Sequence, residues 1–326
     1  MTTALLILAR AFHFGSGMIL VGMVAFRWLV LLPAFAGETD ETWQKFTPLF
    51  RRLHTLFLWS GIILFVSGAA LFWAVAAGMS DTSLIESLTW DTLGTVLFQT
   101  QFGSVFQWRL GLAVALGMMM WGLARNQWQL RRKSSLLEMA AGFVATALVV
   151  SMAWTGHAAA TGGPDFWWRV LADATHLFAA SSWPTGLLPF ALFLGCTRQV
   201  DDISRLRPVL ATARRFSALS FITVGVLIAS GIINTYFIVG SFQALVTTDY
   251  GRILCLKLFL FLVILGIAAW NRYRLLPLIH LRANASEKSL VFPLLQRLQN
   301  FVMTEFGLAV AVIVVVSILG TTPPPR

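Results

Sequence analysis

Long runs of apolar residues, separated by short polar segments, make up most of the chain. A run of about 20 mostly apolar residues is long enough to cross a bilayer as an α-helix. Eight runs satisfy this requirement, so the pattern predicts an all-α polytopic membrane protein with eight transmembrane helices. The predicted spans cover residues 4–32, 53–78, 104–124, 136–158, 168–195, 217–240, 253–271 and 303–320.

The polar segments between these runs alternate between basic and basic-poor. Residues 79–103 contain Asp81, Glu86 and Asp91 but no Lys or Arg. Because loops rich in Lys and Arg stay in the cytoplasm, the pattern places both termini on the outer face, which is periplasmic in a bacterium. No basic segment precedes the first run, so we expect a retained helix rather than a cleaved signal. The basic, inner loops contain Lys45, Arg51 and Arg52; Arg125, Arg131, Arg132 and Lys133; Arg198, Arg205, Arg207, Arg214 and Arg215; and Arg272, Arg274, Arg282 and Lys288.

The composition agrees with a membrane protein. Of the 326 residues, 57% are hydrophobic and 12% are charged, whereas a soluble domain carries about 25% charged residues. The net charge of +10 comes from the short basic loops, so it indicates membrane orientation and no nucleic-acid partner is expected. The two cysteines, Cys196 and Cys255, form no CxxC pattern, which argues against a disulfide framework and a thiolate metal site.

Polar landmarks recur along the chain and predict a duplicated unit. The halves should be residues 1–163 and 164–326, each with four helices, packed as one membrane domain. Because four spans is an even number, the halves are parallel and should be related by a pseudo-two-fold axis along the membrane normal. At an offset of 163, His13, Arg51-Arg52 and Ser67-Gly68 match His176, Arg214-Arg215 and Ser230-Gly231; at 148, Phe102-Gly103 and Arg109 match Tyr250-Gly251 and Lys257; at 167, Glu138 matches Glu305.

The matched histidines are the strongest candidates for function, because an ionisable side chain inside a membrane span is costly. At a rise of 1.5 Å per residue, His13 and His176 lie about 12–15 Å below the outer surface, near the bilayer centre. Arg10 and Asp173 stand three positions earlier on the same helix faces. We expect these opposite charges to neutralise one another across the two halves. Alternatively, Asp173 accepts a hydrogen bond from an imidazole and orients it.

Other side chains extend the candidate site. His157 ends the fourth helix at the outer surface, where it would receive an ion, and His54 begins the second helix at the inner face, where it would be an exit ligand. Met18 and Met152 offer thioether sulfur. Imidazoles with thioethers suit copper better than magnesium or calcium. Spacing alone does not choose between copper and haem iron, and polar residues packed in a helical bundle are the structural alternative.

The same positions carry a resemblance to the bacterial copper resistance protein D family, CopD, over most of the chain. The resemblance implies an eight-helix inner-membrane protein that handles copper from the periplasm, often beside a small periplasmic copper carrier, CopC. One departure is Trp183-Pro184-Thr185-Gly186, where the family typically has Trp-x-Gly-Gly. The matching segments are Thr155-Gly156-His157-Ala158, Asp173-Ala174-Thr175-His176, Trp183, Gly186, Arg215-Phe216-Ser217, Thr248-Asp249-Tyr250-Gly251-Arg252, Lys257, Asn271-Arg272 and the Pro-rich C-terminus.

Residues and resemblance together predict a protein that carries copper across the inner membrane, inward, with the ion held by His13 and His176 at the interface of the two halves. The alternative is a b-type cytochrome, an electron-transfer protein in which the same two histidines are axial ligands of one haem b. A membrane scaffold or sensor is a third class. No Walker, GxSxG or HExxH sequence is present, so we do not expect an enzyme.

Overall fold

The chain folds into a bundle of long helices, as the apolar runs predict. The computed structural model describes residues 2–125, 135–155, 163–197, 206–285 and 287–325, and within these ranges it contains no β-strand. Eight helices there are long and apolar enough to cross a membrane, which confirms the predicted fold class. They are α1 (Thr3–Ala34), α2 (Thr47–Met79), α3 (Gln101–Leu123), α4 (Leu136–Trp154), α5 (Phe166–Cys196), α6 (Leu206–Ile238), α7 (Asp249–Asn284) and α8 (Ser289–Leu319).

Several helices extend beyond their predicted inner ends. The predicted start of the second span, residue 53, and that of the sixth, residue 217, are too late, because α2 begins at Thr47 and α6 at Leu206. The sequence predicts that the seventh span ends at residue 271, whereas α7 continues to Asn284, and α8 begins before residue 303, at Ser289. The apolar windows stop at the first basic residues. Arg, Lys, Gln and Leu are good helix formers, so the helices continue past the hydrocarbon region.

Matching turns lead into α3 and α7. Two short helices, Trp90–Gln99 and Phe242–Thr247, precede them. The hydroxyl of Thr100 accepts from the Gly103 amide at 2.9 Å, and that of Thr248 accepts from the Gly251 amide at 3.1 Å. Such hydroxyl caps satisfy amides at a helix start that have no partner in the helix. The N-terminal ends of the two helices are therefore built in the same way, at the same 148-residue offset.

The helix α5 is interrupted in the middle of the molecule and meets α1 there. Its two parts are Phe166–Ser182 and Leu187–Cys196, separated by a turn that contains Pro184. Thr185 Oγ1 of this turn donates to the carbonyl oxygen of Met18 at 2.7 Å. A Cβ at Gly22 would lie 2.7 Å from the Gly186 backbone nitrogen, so only glycine fits this approach. Small residues allow such close packing of membrane helices.

The helices α1 and α5 form the centre of the bundle. Besides each other, α1 packs against α2, α4 and α8, and α5 packs against α6, α8 and α4. The helices α3 and α7 are peripheral: α3 packs on α2 and α4, and α7 packs on α6 and α8. The helices that carry His13 and His176 are thus central. The helices that carry Arg109 and Lys257 approach them from the periphery of the bundle.

Candidate metal-binding clusters

His13 lies in the middle of α1 and is held by α2. Its Nδ1 is 3.0 Å from the Leu64 carbonyl oxygen and 3.4 Å from Ser67 Oγ. Since a carbonyl oxygen only accepts, the proton is assigned to Nδ1, which donates. The imidazole ring also lies against Gly68, where a Cβ would be 3.2 Å from His13 Cε1. The ring is therefore fixed in orientation, and 7% of the residue is exposed.

The other nitrogen of His13 faces α3. Arg109, which is equally buried, donates from Nη2 to His13 Nε2. With a proton on Nδ1, Nε2 of the neutral ring carries the lone pair, and this is the atom through which such a histidine binds a metal. In this structure the lone pair is engaged by a guanidinium group. A cation that binds His13 has to take the place of Arg109.

His176 has the same surroundings in the second half. Its Nδ1 is 3.0 Å from Ser230 Oγ, which donates in turn to the Val226 carbonyl oxygen, so Nδ1 carries the proton. Lys257 Nζ is 3.5 Å from Nε2. A Cβ at Gly231 would lie 3.5 Å from His176 Cε1. A histidine, a serine, a glycine and a basic residue thus form one cluster in each half.

We call these sets the first cluster (His13, Ser67, Gly68, Arg109) and the second cluster (His176, Ser230, Gly231, Lys257). Each of the four pairs is matched by offset in the sequence, but the serines, glycines and basic residues were not predicted as neighbours of the histidines. The signal that could have identified them is that each type recurs in the second half, the serines and glycines at an offset of 163 and the basic residues at 148. The two histidines occupy matching positions, since each is ten residues, or about 15 Å, from the N-terminal start of its helix.

The structure does not pair Arg10 with Asp173 as expected: among the described residues, no ion pair or hydrogen bond joins them. Asp173 Oδ1 accepts from Asn234 Nδ2 of α6 at 3.4 Å, and its nearby opposite charge is Lys257. Arg10 lies over the ring of Phe14, 5.8 Å from its centroid, and packs against Gly320 at the C-terminal end of α8. The sequence repeat predicts the depth and the helix face of both charges, but it does not predict which neighbouring helix each face contacts.

The remaining predicted ligands lie in different surroundings. Met152 of α4 is 2% exposed, and its methyl carbon is 3.5 Å from a Cβ built on Gly17, one helical turn beyond His13. Met18 is buried near the α1–α5 contact. His54 is half-buried near the N-terminal end of α2, and His157 falls outside the described residues.

The described residues form no metal site with three ligands. Among the described residues, no three His, Cys, Asp or Glu side chains are grouped closely enough to share a metal ion. The polar contacts described above for His13 and His176 are each made within their own half. The geometry provides two imidazole lone pairs at matching positions in α1 and α5, each engaged by a basic side chain.

Alanine at Gly68 and alanine at Gly231 should affect the neighbouring histidines to different extents. Gly68→Ala should push the His13 ring from its place, because 3.2 Å is tighter than an ordinary carbon contact, whereas Gly231→Ala meets His176 at an ordinary 3.5 Å. Copper binding to purified protein, measured by equilibrium dialysis and metal analysis, should fall several-fold in Gly68→Ala and stay near the wild-type value in Gly231→Ala. Equal values in both variants would show that contact with the ring does not control binding.

Family models and individual known proteins match this chain. Residues 1–168 match the copper resistance protein D-like N-terminal domain, and residues 210–319 match copper resistance protein D. Copper resistance protein D of Pseudomonas syringae pv. tomato is 30% identical over 227 residues, which is 69% of this chain and 70% of that protein. Inner membrane protein YebZ of Escherichia coli K12 is 29% identical over 318 residues, 93% of this chain and 100% of that protein.

A third relative covers a shorter segment. Copper transport protein CutJ of Bacillus subtilis 168 is 37% identical over 122 residues, 36% of this chain and 21% of that protein. No solved structure matches the chain significantly. These relatives support a multi-pass membrane protein with a copper-related function.

Proposed function

The chain belongs to the copper resistance protein D family, and we propose that it moves copper ions across the bacterial inner membrane, from the periplasm to the cytoplasm. The observation that carries the proposal is the pair of clusters, which hold two neutral imidazoles near the bilayer centre with their metal-binding nitrogens oriented by protein hydrogen bonds. Ionisable residues at this depth mark ion pathways in membrane proteins. Copper is the transported substrate in this proposal.

Each cluster contains an imidazole nitrogen, a ligand that suits copper. The hydrogen bond from His13 Nδ1 to Leu64, like that from His176 Nδ1 to Ser230, fixes the ring and strengthens the opposite nitrogen as a ligand. Met152, close to the first cluster, adds a soft thioether. In this proposal His157 receives the ion at the periplasmic surface, where a small copper carrier of the CopC type delivers it, and His54 lies at the exit.

Arg109 and Lys257 make binding reversible. A basic side chain and a copper ion compete for the same Nε2 lone pair, so copper enters a cluster only when that side chain withdraws. Its return re-forms the hydrogen bond to the imidazole and places a positive charge beside the ion, which favours release. Asp173 close to Lys257 offers this lysine a second partner while copper is bound.

The helix contacts support the proposed two-fold relation of the halves. The contacts of α1 with α2, α4 and α8 correspond to those of α5 with α6, α8 and α4, and the contacts of α3 with α2 and α4 correspond to those of α7 with α6 and α8. Exchanging the halves leaves this set of neighbours unchanged. The α1–α5 contact then lies on the axis, and sites in such repeats tend to lie beside it.

Reconstitution tests the proposed activity. Purified protein in liposomes should let copper accumulate in the lumen above the level of protein-free liposomes, as measured by metal analysis after external copper has been removed. An optical spectrum of the same sample addresses the cytochrome alternative. A Soret band that disappears when either His13 or His176 is replaced, without copper accumulation, would contradict the proposal and support a bis-histidine haem.

Site-directed labelling tests the orientation. In a background with Cys196 and Cys255 replaced by serine, we expect Asp91→Cys to react with a membrane-impermeant thiol reagent added outside the cell. Arg274→Cys should react only after the membrane has been opened, because it lies beside the basic inner loops. Both positions are exposed in the structure. The opposite pattern would place the termini in the cytoplasm.

A further inference from the structure

A cavity of about 180 Å³ lies in the inner half of the bundle, away from both clusters. It is bounded by α5, α6, α7 and α8 and is mostly apolar and aromatic. Its polar lining comes from a few side chains only: Ser217 and Ser220 of α6, Asn271, Arg272 and Tyr273 of α7, and Glu305 of α8. The copper proposal gives these residues no role.

Glu305 is the most unusual of them, because it is a carboxyl group that is 2% exposed inside a membrane-length helix. It lies 14 residues before the outer end of α8, about 21 Å below it, and so inside the inner half of the hydrocarbon region. Its Oε1 accepts from Asn271 Nδ2 at 2.6 Å. In the described part of the chain, no basic side chain is within ion-pair distance of it.

Asn271 supplies a second, independent observation. It is 6% exposed, and its Oδ1 is buried without a hydrogen-bond partner. A buried amide oxygen without a partner is costly, and such groups call for a specific explanation. Asn271 also begins a π-helical turn, Asn271–Leu275, and turns of this kind inside α-helices are frequent at functional sites.

The equivalent carboxyl group of the first half shows what a structural role requires. Glu138 accepts from Arg27 Nε, and from Trp28 Nε1 at 3.2 Å. Its charge is therefore neutralised within the protein. Glu305 has an amide in place of that guanidinium, so its charge is not balanced by an ion pair.

A carboxyl group paired with a primary amide has a partner in either protonation state. In either state a carboxyl oxygen accepts from the amide Nδ2, as in this structure; the acid can also donate to the amide oxygen after the amide has turned over. The charged groups that face the cavity are Glu305 and Arg272, with the phenol of Tyr273. Arg272 donates to the carbonyl oxygen and hydroxyl of Ser217, at 2.7 Å each, and lies over Phe221. The α5 lining, which includes Trp183, is apolar.

We infer that Glu305 and Asn271 form a proton-binding site that exchanges with the cytoplasmic aqueous phase through this cavity. Glu305 transfers its proton to a water molecule in the cavity, leaving a carboxylate that accepts from Asn271 Nδ2. Uptake reverses the step: a hydronium ion returns the proton and water is released. That this proton accompanies copper movement rests on the proposed function, whereas the site itself does not.

Infrared spectroscopy tests the site without copper. At neutral pH, where exposed carboxyl groups are ionised, the wild-type protein in lipid should show the carbonyl band of a protonated carboxylic acid. The band should shift in heavy water, decrease as the pH is raised, and be absent in Glu305→Gln, which keeps the shape and an acceptor for Asn271. A band that persists in Glu305→Gln, or that does not respond to heavy water or pH, would overturn the assignment.

Thiol labelling tests access to the cavity. In the cysteine-free background, Ser220→Cys should react with a small hydrophilic thiol reagent added to the cytoplasmic side of inverted vesicles. Thr235→Cys on the same helix is the matched control, because Thr235 and Ser220 are both half-buried and each donates to the carbonyl oxygen four residues earlier at 2.8 Å, but Thr235 does not line the cavity. Equal labelling of both, or none of Ser220→Cys, would remove the aqueous route. If liposomes take up no copper, the copper proposal fails while these two results still stand.

Discussion

Replacement of His13 by alanine should lower copper uptake into liposomes by at least about tenfold, the lower end of what loss of a supporting group costs a metal site. The change removes the Nε2 lone pair of the first cluster and leaves Arg109, which is 6% exposed, without the imidazole that accepts from it. His176→Ala should have an effect of the same order through Lys257. The measurement is the initial uptake rate at a fixed amount of reconstituted protein.

Two further variants separate a ligand from a structural residue. His280 Nδ1 lies 2.8 Å from the Leu276 carbonyl oxygen in the C-terminal part of α7, away from both clusters, so His280→Ala should leave uptake unchanged. Arg109→Gln should raise copper affinity in detergent, because it removes the competitor for Nε2, and should slow release. If Arg109→Gln and His13→Ala both weaken binding to the same extent, the first cluster is structural and is not a copper ligand set.

Glu138→Ala should be more destabilising than any of the substitutions in the two clusters. It leaves Arg27 buried without its carboxylate and deprives Trp28 of its acceptor. Removal of one partner of a buried ion pair typically costs about 3–5 kcal/mol. We expect a clearly lower midpoint of thermal unfolding in detergent and less protein in the membrane.

A double variant and a surface control complete this test. Adding Arg27→Met to Glu138→Ala should restore much of the lost stability, since replacing both members of a buried pair by apolar groups is often neutral. Glu41→Ala removes the carboxylate that faces Lys45 at 3.4 Å, an exposed pair, and should change stability by less than about 1 kcal/mol. An unfolding midpoint of Glu138→Ala close to that of Glu41→Ala would show that the buried pair is not important for stability.

The sequence predicted the helices well because a bilayer imposes a length and a polarity on each span. It also selected His13 and His176, since an ionisable residue stands out in an apolar run. It did not predict that Arg109 and Lys257 would meet the Nε2 atoms, because those contacts depend on how α3 and α7 rotate against the centre of the bundle. Helix rotation also explains why the face that carries Asp173 meets Asn234 and not Arg10.

The cavity beside Glu305 could not be predicted from the sequence for a related reason. Glu305 was matched to Glu138 by offset, but the offset does not show that one is paired with arginine and the other with an amide. The cavity also lies beside the interruption of α5 at Pro184, whose effect on packing is a tertiary property. Proline indicates a break in a helix, but it does not indicate what volume remains beside the break.

The exposed position of α3 and α7 gives the lipid a direct influence on the clusters. These are the two least buried of the eight membrane-length helices in the described chain, and they carry Arg109 and Lys257, whereas the histidines lie on α1 and α5, the two most buried. Helices adjust to a different membrane thickness by tilting, and tilt is set by packing against neighbouring helices, so we expect the peripheral helices to adjust first. Acyl-chain length should therefore regulate copper occupancy. Copper binding by the wild type should differ between nanodiscs of short-chain and long-chain lipids. The double variant Arg109→Gln with Lys257→Gln should bind copper equally in both.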